Sequence, residues 1–310
     1  MDSQISDNKS SIESIRTSEL QINKNDLKCA PSITFSAGSC IDLDMLVKMA
    51  RAYNKYNYNK DNLNDQIKLN DTVQVMAPNK YKKYLVKQFK KKIKGCTNQK
   101  CWVEQDFMKY MDAKLKKKAM KDTFRPYGPV ATQSSVWLNT TNIDEVMAQY
   151  ENVYPDFKYL ATVPIDFDKL DYYPLKGIDF NKYIKAGKKK LGVVFNLDDS
   201  TQSGSHWVAL FINFENGDVA FSDSYGVGPE KRITDFMRKA GYFMKDKLNM
   251  QPSIKINKTR HQRGGSACGP YSMDFILRML KGEKFEDITA KRIPDEYVNG
   301  KRDELFIKKA

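Results

Sequence analysis

The order of apolar and polar positions changes character along the chain. From about Asp42 to Asp122 it follows the 3.6-residue period of amphipathic helices: IDLDMLVKMARAYNKY (41–56), YKKYLVKQFKKKIKG (81–95) with Gly95 as a stop, and a third stretch around FMKYMDAKLKKKAM (107–120). The dipeptides Pro126-Tyr127 and Gly128-Pro129 then punctuate the chain, and beyond them strand-like and helix-like runs alternate. TTNIDEVMAQYENVY (140–154) predicts a helix, with Thr141 three residues before Asp144 as a variant capping pair. LGVVFNLDD (191–199) and WVALFINF (207–214) predict strands, Asn216-Gly217 a hairpin turn, and DVAFSDSY (218–225) the return strand. A helix over 229–248 and a strand over 253–260 lead to the turn RGGSACGPYSM. There Pro270 favours a helix start, and Phe275, Ile276, Met279 and Leu280 form an apolar stripe before Gly282. Helices and strands mixed without a βαβ repeat predict an α+β class.

The domain boundary is expected near residue 123, separating a basic, mainly helical arm (1–122) from a core (123–310). Residues 1–26 are polar, with little periodicity, and are expected to be loose or peripherally packed. Hydrophobic residues make up 41% of the 310 and charged residues 29%, so the chain is expected to fold as a globular protein. No run of eighteen apolar residues and no basic, apolar leader is present, which predicts neither a membrane span nor a secretory signal.

Charge changes the picture of the arm. Lys plus Arg exceed Asp plus Glu by 52 − 38 = 14, and residues 80–122 alone carry fifteen lysines against Glu104, Asp106, Asp112 and Asp122, a net +11. Such a segment can contact nucleic acid or an acidic surface by counterion release, or can simply be a solvated helix face. Five scattered cysteines (Cys29, Cys40, Cys96, Cys101, Cys268) do not make a disulfide framework and are expected to be reduced. Cys96 and Cys101 lack the spacing and the nearby histidine of a zinc site, so no metal and no cofactor are expected.

The candidate chemistry lies in the core. Cys268 sits where a loop becomes a helix, near unpaired N–H groups and the positive end of the helix dipole, a setting that favours a thiolate. A lone cysteine is more often plain packing, so its surroundings decide. The chain has only two histidines, His206 and His261. His206 has a carboxylate, Asp223, on the return strand of its own hairpin, the kind of third member that orients an imidazole. His261 has none and reads as structural. A strict two-residue turn at Asn216-Gly217 would pair His206 with Val227 and leave Asp223 on the order of 13 Å away, so a triad requires a longer loop or a bulge. Gln262, six residues before Cys268, and the backbone N–H of Cys268 are candidate oxyanion donors.

The ordered set His206-Trp207, Asp223-Ser224, Gln262 and Cys268-Gly269 resembles the ubiquitin-like protein proteases and adenovirus-type endopeptidases. HWVALF, RHQR followed by CGPYS, and NIDE resemble in particular the polyprotein-processing members of African swine fever virus and other large DNA viruses, over roughly residues 85–310. The resemblance implies a papain-related fold with a central mixed sheet flanked by helices. It also implies a Cys268-His206-Asp223 triad and cleavage after Gly-Gly, with Trp207 and Trp137 lining a tunnel too narrow for side chains. Substrates would be viral structural polyproteins, cut in the virion core or host cytoplasm during maturation; the alternative is a SUMO or ubiquitin-like deconjugating protease.

Overall fold

The computed structural model describes residues 23–62 and 64–309. They form two compact units, one extending to Arg125 and the other spanning Pro126–Lys309. The expectation of a loose segment over 1–22 lies outside the described residues. Residues 23–26 correct it: Asn23 caps a 3-10 turn, Lys24–Leu27, and the buried Asp26 carboxylate accepts the Gln99 N–H at 2.7 Å.

In the first unit α1 (Leu43–Tyr58) and α2 (Pro78–Lys92) bury the faces that their periodicity predicts, including Leu46, Met49 and Ala50 against Leu85, Val86 and Phe89. The third predicted helix is broken. Residues 106–110 are a 3-10 helix, and α3 (Ala113–Asp122) starts afresh because Asp112 accepts the N–H groups of Lys114 and Leu115. The lysine segment is also less uniform than its composition suggests. Lys82 and Lys100 are buried, and Lys82 Nζ donates to Ser36 Oγ and to the Ser39 carbonyl.

The expectation of reduced cysteines outside the core is overturned. Cys29–Cys40 and Cys96–Cys101 are disulfides in this unit, with Cα–Cα distances of 5.3 and 5.5 Å. The first pair meets because the chain folds back there, a closeness that scattered sequence positions do not disclose. Cys268 is the free cysteine among the described residues.

The second unit is built on a five-stranded sheet in sequence order: β1 (Phe157–Pro164), β2 (Lys190–Asn196), β3 (Trp207–Asn213), β4 (Asp218–Ser222) and β5 (Ser253–Ile256). The central pairs β2–β3 and β3–β4 are antiparallel, whereas β1–β2 and β4–β5 are parallel. Each parallel pair is joined by a helical crossover, so the α+β reading holds while the absence of βαβ units does not. β1 had no counterpart among the strands predicted individually.

Both faces of the sheet are covered, which explains the continuous apolar run of WVALFI. Trp207, Ala209 and Phe211 face one cluster with α4 (Thr140–Tyr150) and α6 (Cys268–Leu280). Val208, Leu210 and Ile212 face another with Ile233, Phe236 and Met237 of α5 (Lys231–Leu248). α4 is capped by Asn139 in a reciprocal box with Asn142, in place of the predicted Thr141–Asp144 pair.

Candidate active site

The β3–β4 hairpin decides whether His206 can meet Asp223. The strands pair Asn213 with Asp218 and Ala209 with Ser222, so four residues, 214–217, form the loop. Gly217 sits at φ +83°, and a Cβ there would lie 2.8 Å from the Gln251 carbonyl oxygen. This lengthened loop meets the condition set by the sequence. Continued, the register places Asp223 opposite Val208, two residues from His206 instead of four.

The chain then turns sharply at Asp223-Ser224-Tyr225-Gly226. Gly226 N–H returns to the Asp223 carbonyl at 2.9 Å, and the glycine, at φ +73°, packs so tightly that a Cβ would come within 2.7 Å of the Lys258 carbonyl oxygen. Asp223 Oδ1 accepts the Tyr225 N–H at 2.8 Å and lies 2.6 Å from His206 Nε2. The Tyr225 ring stacks on the imidazole at a centroid separation of 4.7 Å and an interplanar angle of 20°. Hydrogen bond and stack together set the tilt and rotation of the ring.

Nε2 is engaged by Asp223, and Cys268 is the other side chain that acts on the ring. Burial disfavours the charged imidazole, but the hydrogen bonds and negative charge of Asp223 and Cys268 outweigh it and push its pKa up to about 9. The imidazole is therefore protonated at neutral pH.

Cys268 is the first residue of α6, as the Gly-rich turn predicts. The loop before it is fixed to the end of β4. The Ser224 carbonyl accepts the N–H groups of His261 and Gln262 at 2.8 and 2.9 Å, and Asn257 Nδ2 donates to the Asp223 carbonyl. Asp295 gathers the N–H groups of Arg263 and Gly264 and the Tyr271 hydroxyl. Cys268, His206 and Asp223 are thus brought together from a helix start, a strand start and a turn.

Gln262 is fully buried in the same loop. Its Oε1 accepts from Ser224 Oγ, and its Nε2 donates to the Gly264 carbonyl, with the Tyr225 hydroxyl 3.4 Å away. His261 lies apart, its Nδ1 accepting the Ile293 N–H at 3.0 Å. Burial, then Arg278 and Arg292, hold its pKa below the usual value.

Trp207 and Trp137 line one cleft of about 360 Å³, together with Leu138, Tyr172 and Asp198. Trp207 is buried and donates its Nε1–H to the Leu138 carbonyl at 2.9 Å; Trp137 is 46% exposed. Sequence reasoning did not single out Tyr225, Asn257 or Asp295, and named Ser224 only as the neighbour of Asp223. Tyr225 alone had a signal, its position two residues after the candidate carboxylate. Among the described residues, no group of three or more His, Cys, Asp or Glu could hold a metal ion, and no helix is long and apolar enough to cross a membrane.

Residues 181–309 match the model of the Ulp1 protease family C-terminal catalytic domain. A protein of Acanthamoeba polyphaga mimivirus assigned as a thiol protease is 37% identical over 274 residues, covering 86% of this chain and 89% of that protein. A SUMO-1 cysteine protease of African swine fever virus is 27% identical over 236 residues, 70% of this chain and 85% of its own. The crystal structure of an African swine fever virus protease superposes with a TM-score of 0.62 at 21% identity, over 94% of this chain and 100% of that one, and so shares the fold. A relative as similar as the mimivirus thiol protease over nearly its whole length, with the catalytic-domain match, makes the chain a cysteine protease of the Ulp1 protease family.

Proposed function

We propose that the protease cuts viral structural polyproteins after Gly-Gly during virion maturation, in the virion core and host cytoplasm, with Cys268 as nucleophile, His206 as acid and base, and Asp223 orienting the ring. The observation that carries this reading is His206 held between Asp223 and Cys268 next to a cleft walled by Trp137 and Trp207. The resemblance implies a Gly-Gly substrate, and the two tryptophans it assigns to the substrate path both line this cleft.

The Cys268 sulfur, as thiolate, attacks the carbonyl carbon of the second glycine, and the carbonyl π pair moves onto oxygen. The oxyanion accepts from the backbone N–H of Cys268 and from Gln262 Nε2. Both Nε2 protons are engaged, one by the Gly264 carbonyl and one by the Tyr225 hydroxyl at 3.4 Å, and the oxyanion takes the place of the weaker Tyr225 partner. His206 gives its proton to the departing amine as the C–N bond breaks. Water then attacks the thioester while His206 takes its proton, releasing the new carboxylate and the Cys268 sulfur.

The name of the African swine fever virus relative favours a second reading, deconjugation of SUMO or a ubiquitin-like protein. Incubating the protein with a Gly-Gly-Xaa polyprotein peptide and, separately, with a SUMO conjugate distinguishes them. Faster cleavage of the peptide supports processing, and cleavage of the conjugate alone overturns it. Cys268→Ala should abolish both reactions while leaving the far-ultraviolet circular dichroism unchanged; a folded variant that still cuts would move the nucleophile elsewhere.

The basic arm we assign to docking of polyprotein or nucleic acid. Exposed lysines of α3 such as Lys114, Lys117 and Lys118 give it long-range attraction that fades with salt. Changing these three to Gln should reduce the salt dependence of polyprotein cleavage without altering cleavage of short peptides. An unchanged salt dependence would mark the arm as a solvated face.

A further inference from the structure

Arg302 is the largest fully buried side chain described, yet its hydrogen bonds go to neutral acceptors only. Its Nε donates to Asn299 Oδ1 at 2.9 Å. One terminal nitrogen donates to the Val136 carbonyl at 2.9 Å, and the other to the Ser266 carbonyl at 3.1 Å and, more weakly, the Ser134 carbonyl at 3.4 Å. A buried cation without a paired carboxylate is expensive, and an apolar side chain of similar volume would serve stability as well or better. Burial pulls its pKa down to about 10, and the negative charge of Cys268 is what acts against that fall. The cost calls for a role beyond packing.

The geometry points to Arg302 as a positioning residue of the protease, bridging the main-chain carbonyls of Ser134, Val136 and Ser266 so that the segment carrying Trp137 stays at a fixed distance from Cys268. Val136 directly precedes Trp137, and Ser266 lies two residues before Cys268. A second strap runs in parallel, Ser266 Oγ donating to the same Ser134 carbonyl at 2.7 Å. Beyond Trp137, the Leu138 carbonyl is held by Trp207, and the Leu138 side chain packs against Gly269. The substrate wall and the nucleophile loop are therefore joined on both sides of Trp137. Only a guanidinium reaches these three carbonyls at once, because its donors lie in a rigid planar fork; a lysine ammonium is a single point.

The inference rests on the proposed roles of Cys268 and Trp137, and its test separates the two. Arg302→Lys keeps a charge and loses the fork, and Ser266→Ala removes the parallel strap. For each, thermal melting checks the fold, kcat and KM are measured on a Gly-Gly peptide, and the rate at which iodoacetamide alkylates Cys268 reports the nucleophile without the substrate wall. Arg302→Lys is expected to lose about 10- to 100-fold in kcat/KM, mostly in kcat, as a misplacement of order 1 Å would cause, with alkylation within about twofold of wild type. Ser266→Ala should lose less in the same pattern, and the double variant less than the product of the two, since both act on the Ser134 carbonyl. Wild-type kcat/KM in a folded Arg302→Lys overturns the inference, as does a loss matched by equally slowed alkylation. If Arg302→Lys fails to fold, Ser266→Ala decides alone, and wild-type kinetics there overturn it. Residual cleavage by Cys268→Ala in the same assay would instead sink the reading of the nucleophile.

Discussion

Replacing Asp223 by Asn keeps the shape of the side chain that faces His206 Nε2 at 2.6 Å and removes its charge. In the native protein the imidazole is held at about 9 against an ordinary 6.5, a difference of 9 − 6.5 = 2.5 units. At 1.36 kcal/mol per unit this is about 3 kcal/mol in favour of the imidazolium, net of a burial penalty that acts the other way. With Asp223 neutral, Cys268 alone opposes burial, and the pKa should fall by roughly one to two units. The imidazolium must protonate the leaving amine, so the alkaline limb of kcat/KM against pH is expected at about 9 in the native enzyme and one to two units lower in Asp223→Asn. At pH 7.5 the variant should be slower by about 1.3- to 4-fold from this titration alone, with the deficit shrinking as pH falls. The same pair makes stability depend on pH. The folded pKa is raised above the unfolded value, so its contribution is full below 6.5 and is lost as pH rises through about 9. Thermal midpoints between pH 6 and 9.5 should therefore fall more steeply for the native enzyme than for the variant. An alkaline limb that stays within half a unit of the native one in a folded Asp223→Asn would refute the assignment of either the carboxylate or the titrating histidine.

His261→Ala should keep most of the activity but lose about 1 kcal/mol of stability, because the partly buried Ile293 N–H loses its acceptor; kcat/KM and a urea melt measured together check this, and an inactive folded variant would reverse the roles of the two histidines. The Cys29–Cys40 and Cys96–Cys101 disulfides close spans of 11 and 5 residues and should each contribute about 2–3 kcal/mol to the first unit. Calorimetry with and without reductant should show the first unit's transition falling while that of the disulfide-free second unit stays in place. Unfolding that is indifferent to reductant would mean the bridges do not form in solution.

The periodic segments were legible because each buried stripe is local to its own element. α1 and α2 of the first unit, the central strands, α5 and the start of α6 at Cys268 all follow from side-chain spacing and caps. β1 was missed: its hydrophobic residues are interrupted by Lys158, Thr162 and Pro164, and its pairing with β2 lies across a 25-residue crossover. The helix predicted over 107–120 failed because Asp112 offered the backbone a better start than continuation.

The sequence by itself determined the candidates at the site. Two histidines, a cysteine at a glycine-rich helix start and a carboxylate on a return strand leave few ways to assemble Cys-His chemistry. Tertiary structure alone decided whether they meet. The four-residue hairpin loop moves Asp223 two positions nearer to His206 than a tight turn would, and the Gly226 turn aims its carboxylate. Arg302 had no signal at all, since KRDEL reads as a solvated helix end until the fold closes three carbonyls around the guanidinium. The pairing of Cys29 with Cys40 was hidden in the same way. Spacing along a chain records which residues share one element, whereas distances across elements depend on loop lengths and packing that no local pattern encodes.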